Sequence, residues 1–289
     1  MLDQAQALRN LVRAKEKTSD ISEIRKARVI TITSGKGGVG KSNIVVNLGI
    51  TLGKQGKKVL IFDADIGMGN DDIILGVYPK YNVYDVIQGT VTIKDAIIDT
   101  GQGVSLLSAG SGLNKIDELS QGKRDRFINA LTGLSDYDYI LMDTGAGVSR
   151  TVLGFIAASD EVLLVTTPEP TSLTDAYSLI KAVKHFDLKE KAKVIINRSF
   201  TEEEAKETYN KFKNVADKFI SFDLEYIGFI FDDRKLVESV RKQKPVAIAY
   251  PNSDSAKCLR KISDLIIGEK IDNSIGAEGF FKKLFKIFS

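Results

Sequence analysis

One run of eight residues, Gly35-Lys36-Gly37-Gly38-Val39-Gly40-Lys41-Ser42, fits the spacing G-x-x-x-x-G-K-[ST]. Glycines in such a loop let the chain curl until successive backbone N–H groups point at phosphate oxygens. Lys41 is placed to bridge those oxygens, and the Ser42 hydroxyl to ligate Mg²⁺. The run follows the apolar segment RVITIT and opens NIVVNLGITLG, so a strand precedes it and a helix beginning near Asn43 follows. The helix N-terminus adds its positive dipole end. Two acidic strand ends complete the set. Asp63 and Asp65 follow VLIF, and Asp143 follows YILM. An aspartate at a strand tip beside such a loop can hold Mg²⁺ through water. A second can orient the attacking water. A lone strand-end aspartate is more often a cap or turn residue. Two such ends, both expected on neighbours of the loop's strand, favour chemistry. Lys36 is the odd member. One loop cannot easily point two lysines at the same phosphate from the same side. Lys36 therefore either reaches a nucleotide on a partner subunit or faces solvent, and position alone leaves both open.

Residues 28–267 supply the scaffold. Apolar, β-branched runs recur at Val29-Ile30-Thr31-Ile32, Val59-Leu60-Ile61-Phe62, Tyr139-Ile140-Leu141-Met142, Val162-Leu163-Leu164-Val165, Val194-Ile195-Ile196 and Tyr226-Ile227-Gly228-Phe229-Ile230. They are apolar throughout rather than alternating, as strands covered on both faces require. Helical stretches such as 41–53 and 172–186 lie between them. This predicts a doubly wound α/β fold, a mostly parallel sheet with helices on both faces. Ligands bind beyond the carboxyl ends of such strands. Residues 1–27 read as a short helix plus a polar linker, and 268–289 as a linker plus an amphipathic helix.

Composition narrows the chemistry. The 289 residues are 43% hydrophobic and 27% charged, which excludes a disordered chain. No run of roughly 18 apolar residues exists, so no membrane-spanning helix is expected. The start lacks the pattern of a secretory signal. A net charge of +3 provides no overall basic field, so nucleic acid is not an expected partner. The single cysteine, Cys258, and single histidine, His185, exclude a disulfide framework and argue against a zinc or iron–sulfur centre. His185 reads as a surface or packing residue at a helix end, and Cys258, at helical spacing, as a small core residue. Chemistry is left to backbone amides, lysines, carboxylates and a hydrated metal, in an intracellular protein.

GKGGVGKS, DADIGMGN and DTGAG together resemble the deviant Walker A ATPases of the MinD/ParA class, across nearly all of 28–267. The resemblance implies a Mg²⁺-dependent ATPase that forms a homodimer with two ATP molecules between its subunits and releases ADP. It implies that Lys36 acts on the partner's phosphates, that Asp65 positions the hydrolytic water, and that Asp143 belongs to the Mg²⁺ shell. Asp63 and Asn70 would share a switch segment, and Asn197 would contact adenine. Phe231 departs from the class, which commonly has proline there, and puts the details of the base pocket in doubt.

The two ends of the chain bear on its role. At 100° per residue, Phe280, Phe281, Leu284, Phe285, Ile287 and Phe288 share one face, and Lys282, Lys283 and Lys286 oppose it. That pattern suits a helix lying on an anionic membrane surface. A terminal helix docked on the body of the protein is the other reading. Two copies on one dimer would bind lipid far more tightly than one. The tail resembles the MinD membrane-targeting helix. The opening Asp3-Gln4-Ala5-Gln6-Ala7-Leu8-Arg9 resembles the DQAxxLR motif of the FlhG (YlxH, FleN) family of flagellar ATPases. That family implies that Asp3, Gln4, Ala5, Leu8 and Arg9 act on an FlhF-type GTPase, and that flagellar C-ring proteins are partners. The expected function is a membrane-cycling ATPase on the inner face of the cell membrane, controlling flagellar number and placement. The alternatives are a division-site ATPase of MinD type, a DNA partition ATPase and a non-catalytic nucleotide-bound scaffold.

Overall fold

All six expected apolar runs are strands, joined by helices on both faces of one sheet. The structure, a computed structural model, describes residues 26–65, 69–110, 119–269 and 274–288. The expected partner motif at Asp3, Gln4, Ala5, Leu8 and Arg9 lies outside the described residues. The strands are β1 (Arg28–Ser34), β2 (Val59–Ala64), β3 (Ile97–Asp99), β4 (Ser105–Ser108), β5 (Tyr139–Ala146), β6 (Glu161–Thr166), β7 (Lys191–Ser199) and β8 (Asp223–Phe231). The helices are α1 (Lys41–Lys54), α2 (Asp71–Leu75), α3 (Val83–Gln88), α4 (Ile93–Ala96), α5 (Gln121–Ala130), α6 (Arg150–Ala158) and α7 (Pro170–His185). They continue with α8 (Glu202–Phe219), α9 (Arg234–Arg241), α10 (Val246–Ala249), α11 (Asp254–Gly268) and α12 (Gly276–Phe288).

The sheet order is β3-β4-β2-β5-β1-β6-β7-β8. Among these, only β3 runs antiparallel, against β4. These two strands were not expected. They are three and four residues long, and β3 is a half-exposed edge without a continuous apolar run. Every residue of β1 is buried, as a central strand covered on both faces requires. The acidic ends need one correction. β5 pairs directly with β1, but β2 pairs with β5 and not with β1. Asp63 and Asp143 still meet, because they are register partners across β2 and β5. His185 ends α7 with its ring edge-on to Phe186, and Cys258 is buried on α11.

At the amino ends of β1, β6 and β7 lies a buried charge network. Arg28 donates to both Glu161 carboxylate oxygens, the Nη2 contact at 2.6 Å, and its Nη1 donates to Ile266 O at 2.5 Å. Lys193 Nζ donates to Glu161 Oε2 at 2.6 Å and also pairs with Glu269.

The tail helix is docked on the body of the protein in this structure. The face of α12 expected to meet lipid, formed by Phe280, Phe281, Leu284, Phe285, Ile287 and Phe288, is buried in the protein, none of these residues more than 6% exposed. Phe281 packs on Phe62 of β2 and edge-on to Phe127 of α5, and Phe280 stacks on Phe155 of α6. Lys282, Lys283 and Lys286 line the exposed side. The physical reason is a matching apolar groove on the body. Six bulky side chains gain about 1.5–3 kcal/mol each by filling it. The groove is closed at one end by Asp160, which accepts from Ser274 Oγ at 2.8 Å and Ile275 N at 3.0 Å.

Candidate nucleotide site

The glycine-rich loop leaves β1 beyond its carboxyl end and feeds α1. Gly38 and Gly40 have φ of 77° and 92°, a conformation costly for other residues. Gly40 is the N-cap, so no side chain caps α1, and no acidic residue sits in its first turn. The first N–H groups of α1 are therefore left for an external acceptor. Gly35 packs tightly on α7, where a Cβ would lie 2.1 Å from the Asp175 carbonyl carbon. Asn197, at the end of β7, donates from Nδ2 to Val39 O at 2.6 Å and braces the loop from behind. A Cβ on Gly40 would meet that same amide at 2.4 Å. Asn43 Oδ1 is buried with no hydrogen-bond partner.

The charged groups gather in front of the loop. Lys41 is buried and forms a short ion pair with Asp143 Oδ1, the latter only 1% exposed. Asp63 is buried beside Asp143, and its carboxylate rests against Gly69. Burial, then the nearby Asp143 charge, push the Asp63 pKa up to about 7. The Asp65 backbone N–H donates to Asp63 Oδ1 at 3.2 Å. A Cβ on Gly145 would lie 3.4 Å from Asp65 Oδ1, so this carboxylate lies alongside the DTGAG segment.

The sequence reading missed Asp71. It opens α2, is 0% exposed, and neither carboxylate oxygen has a hydrogen-bond partner. Burial, then Asp143 and Asp63, push its pKa well above its ordinary value. The doubled aspartate of GNDD was its only sequence signal, and the first turn of a helix welcomes acidic residues for dipole reasons alone.

Lys36 is half-exposed and turns to its own chain, with Nζ 3.2 Å from Glu169 Oε2 and 2.8 Å from Thr171 Oγ1. Asn70 is the N-cap of α2, and Phe231 is half-buried with its ring edge-on to Phe229. Ser42 is half-buried in the first turn of α1. The surroundings fit Mg²⁺. Among the described residues no three His, Cys, Asp or Glu groups converge to hold a metal unaided. The donors present are oxygens, on the buried Asp63, Asp71 and Asp143 and the half-buried Ser42. Phosphate oxygens and water would have to complete the shell of such a hard cation.

Fold and site together define a P-loop nucleotide-binding protein with a MinD-like doubly wound sheet. The AAA-domain family AAA_31 matches residues 27–196. The chain is 36% identical to the flagellum site-determining protein YlxH of Helicobacter pylori, covering 99% of each chain. It is 35% identical to the antiactivator FleN of Pseudomonas aeruginosa, covering 85% of this chain and 88% of FleN. In structure it is similar to the septum site-determining protein MinD of Pyrococcus horikoshii, solved with Mg-ADP. The TM-score is 0.66 at 28% identity, covering 85% of this chain and all of that one. This chain belongs to the FlhG (YlxH, FleN) family of MinD-like ATPases.

Proposed function

We propose that this chain is an ATP-driven switch that sets the number and placement of flagella and hydrolyses ATP to reset itself. The observation that carries the reading is the uncapped head of α1 with Lys41 held against Asp143. An incoming triphosphate takes the free N–H groups, and Lys41 exchanges its carboxylate for phosphate oxygens. Asn197 holds the loop and borders the base; Phe231 flanks that pocket in place of the usual proline. Asp65 orients the water whose oxygen bonds to the γ-phosphorus as the bond to ADP breaks. Mg²⁺, held from Ser42 and near Asp63 and Asp143, would supply charge neutralisation at the phosphates. In an ATP-bound homodimer, Lys36 would leave Glu169 and Thr171 for the partner's nucleotide.

The output is proposed to pass through α6. Arg150 lies seven residues after Asp143. Its Nη2 donates to Ile287 O at 3.2 Å, and its guanidinium sits 5.0 Å from the Phe288 ring. Rearrangement of the DTGAG segment would therefore tug on the tail. A released α12 would offer its apolar face and three lysines to an anionic membrane. This release must offset the burial described above, so the membrane step needs both nucleotide and lipid. The family names of the relatives, flagellum site-determining protein and antiactivator, support a flagellar role. The motif at Asp3, Gln4, Ala5, Leu8 and Arg9 is proposed to stimulate an FlhF-type GTPase, with C-ring proteins as further partners.

The test adds a peptide of residues 1–16 to an FlhF-type GTPase from the same organism, with Gln4→Ala as control. Stimulation lost in the control supports the flagellar reading; none at saturating peptide favours a division-site role. ATP turnover by the full chain, abolished in Asp65→Ala, checks the enzyme itself. Normal turnover in that variant would sink the catalytic role of Asp65. Removal of residues 280–289 should abolish ATP-dependent vesicle binding.

A further inference from the structure

Docking of the tail leaves a cationic face that the scheme above does not use. α5 and α12 lie side by side, with Phe127 edge-on to Phe281 at 5.0 Å and to Phe285 at 6.0 Å between ring centroids. The apolar side of α12 is buried, so Lys282, Lys283 and Lys286 point outward. Lys123, Arg124 and Arg126 flank Phe127 on α5. The Arg124 guanidinium sits 5.9 Å from the Phe285 ring, at the seam between the two helices. Lys123 Nζ donates to Gln88 Oε1 at 2.8 Å, and Arg126, itself exposed, donates from Nη1 to Gln88 O at 3.2 Å. The two helices carry six cations and two carboxylates. Both carboxylates are engaged, Glu278 with Lys282 and Asp125 with Gln121 Nε2 at 2.9 Å. The exposed Arg150 of α6 adds a further cation beside Phe288. The whole chain carries only +3, so this face concentrates its positive charge.

What lies beneath the lysines says what the face meets. Opening α12 in water would expose six bulky apolar side chains, none now more than 6% exposed. An open chain in water is therefore too rare to be the form that finds a membrane. The closed chain must arrive first. We infer that the closed chain, with α12 still docked, lands on an anionic lipid surface through α5 and the outer side of α12, and that the tail opens only after landing. Each lysine or arginine brought into the headgroup field contributes about fivefold in affinity. The field dies away within about 10 Å, so landing is weak, reversible and salt-sensitive, unlike the insertion that follows. An acidic protein or a nucleic acid matches the charge alone. A bilayer also takes up the apolar side chains under the lysines. The inference rests on the membrane reading above, and its test separates the two.

The experiment sediments the full, nucleotide-free chain in EDTA with vesicles of phosphatidylcholine, with or without phosphatidylserine, at low and at high salt. A nitrobenzoxadiazole label on Ser289→Cys reports entry of the tail into lipid by a blue shift, and the native Cys258 is buried away from the reagent. Wild type should bind the anionic vesicles at low salt without a shift, and should leave them at high salt. Lys123→Gln with Arg126→Gln should weaken this landing about tenfold or more. ATP turnover in solution should not change. Lys257→Gln with Lys261→Gln removes the same charge from α11. That helix packs on α1, on the opposite face of the sheet: Ser263 bonds Gln55, and Ile61 meets Gly49 while Phe62 meets the tail. This control should land as wild type does. Arg124→Gln is a second α5 probe should loss of the Gln88 contacts unfold the first, with thermal melting as the check. Equal weakening by the α5 and α11 pairs, binding that ignores headgroup charge, or a blue shift without nucleotide would overturn the inference. Vesicle binding seen only with ATP, and matched in rate and extent by the α5 variant, would overturn it and leave the membrane switch standing. Binding to fluorescent duplex DNA without any landing on vesicles would give the face to another polyanion and overturn it too. Wild type that ignores vesicles both with and without ATP would overturn the membrane reading itself.

Discussion

Two buried charge clusters occupy opposite ends of the same sheet, and they are built on opposite principles. At the amino ends, Arg28 and Lys193 face Glu161 and Glu269, two cations against two carboxylates. Burial would push the Glu161 pKa up, but Arg28 and Lys193 outweigh it and hold the group below its ordinary value. At the carboxyl ends, Lys41 pairs with Asp143, and Asp63 and Asp71 are buried beside that carboxylate without an ion pair of their own among the described residues. There burial and mutual repulsion win, and the Asp63 pKa rises to about 7. A cluster that neutralises itself holds elements in place. A cluster that does not must be completed by something from outside. The difference separates structural from functional charge without reference to any motif.

The largest effect should come from breaking the balanced cluster. Arg28→Ala leaves the buried Glu161 carboxylate with Lys193 alone, frees the Ile266 carbonyl, and should cost about 3 kcal/mol in chemical denaturation. Nucleotide affinity of the folded fraction should stay within a few-fold of wild type. A parallel loss of affinity would show that the two clusters are not independent. Lys41→Ala tests the other end. Phosphate binding loses the buried cation of the glycine-rich loop, and affinity for ATP should drop at least about 100-fold in a fluorescence titration. Unchanged affinity would refute the P-loop assignment.

The contrast also explains what could be read in advance. The loop glycines, Lys41, Asp63 and Asp143 were legible because their positions depend on local chain order: a strand end, a turn, a helix start. Asn197 was legible only through family resemblance, since its contact with Val39 spans 158 residues of sequence. Asp71 was hidden because acidic residues in the first turn of a helix are ordinary. Glu161 and Lys193 were hidden because each borders an apolar run as an ordinary strand-end charge would, and only the sheet order brings them together. The amphipathy of α12 was plain, but amphipathy does not say what covers the apolar face. Phe62, Phe127 and Phe155 come from three distant segments, and their groove exists only in the folded chain.

The two clusters should respond to pH with opposite sign. Asp63 titrates higher when folded than unfolded, so the folded state holds the extra proton. The stability it contributes is complete below about pH 4, and is lost as pH rises through about 7. Glu161 is held low, so its contribution is present above about pH 4.5 and lost on further acidification. Nucleotide-free wild type should lose about 2–3 kcal/mol between pH 5 and 8 through the Asp63 cluster. Asp63→Asn should flatten that slope in a denaturation series. An equally steep slope in the variant would place the titrating group elsewhere.

The smallest effect tests whether the functional cluster reaches the tail. Arg150 stands between them, an exposed residue on the first turn of α6 after the DTGAG segment, and makes two contacts with the buried end of α12. One part-buried hydrogen bond and one cation–π contact made by an exposed arginine are worth about 1 kcal/mol together. Arg150→Ala should therefore leave global stability nearly unchanged. It should raise the local opening of residues 284–288 about fivefold, read as faster amide hydrogen exchange there. Residues 276–280, anchored through Asp160 at the far end, should not respond. Uniform acceleration along α12 would mean that the helix undocks as one body and that Arg150 is not a local latch. No acceleration would disconnect the nucleotide end from the tail, and leave α12 as a permanent part of the core.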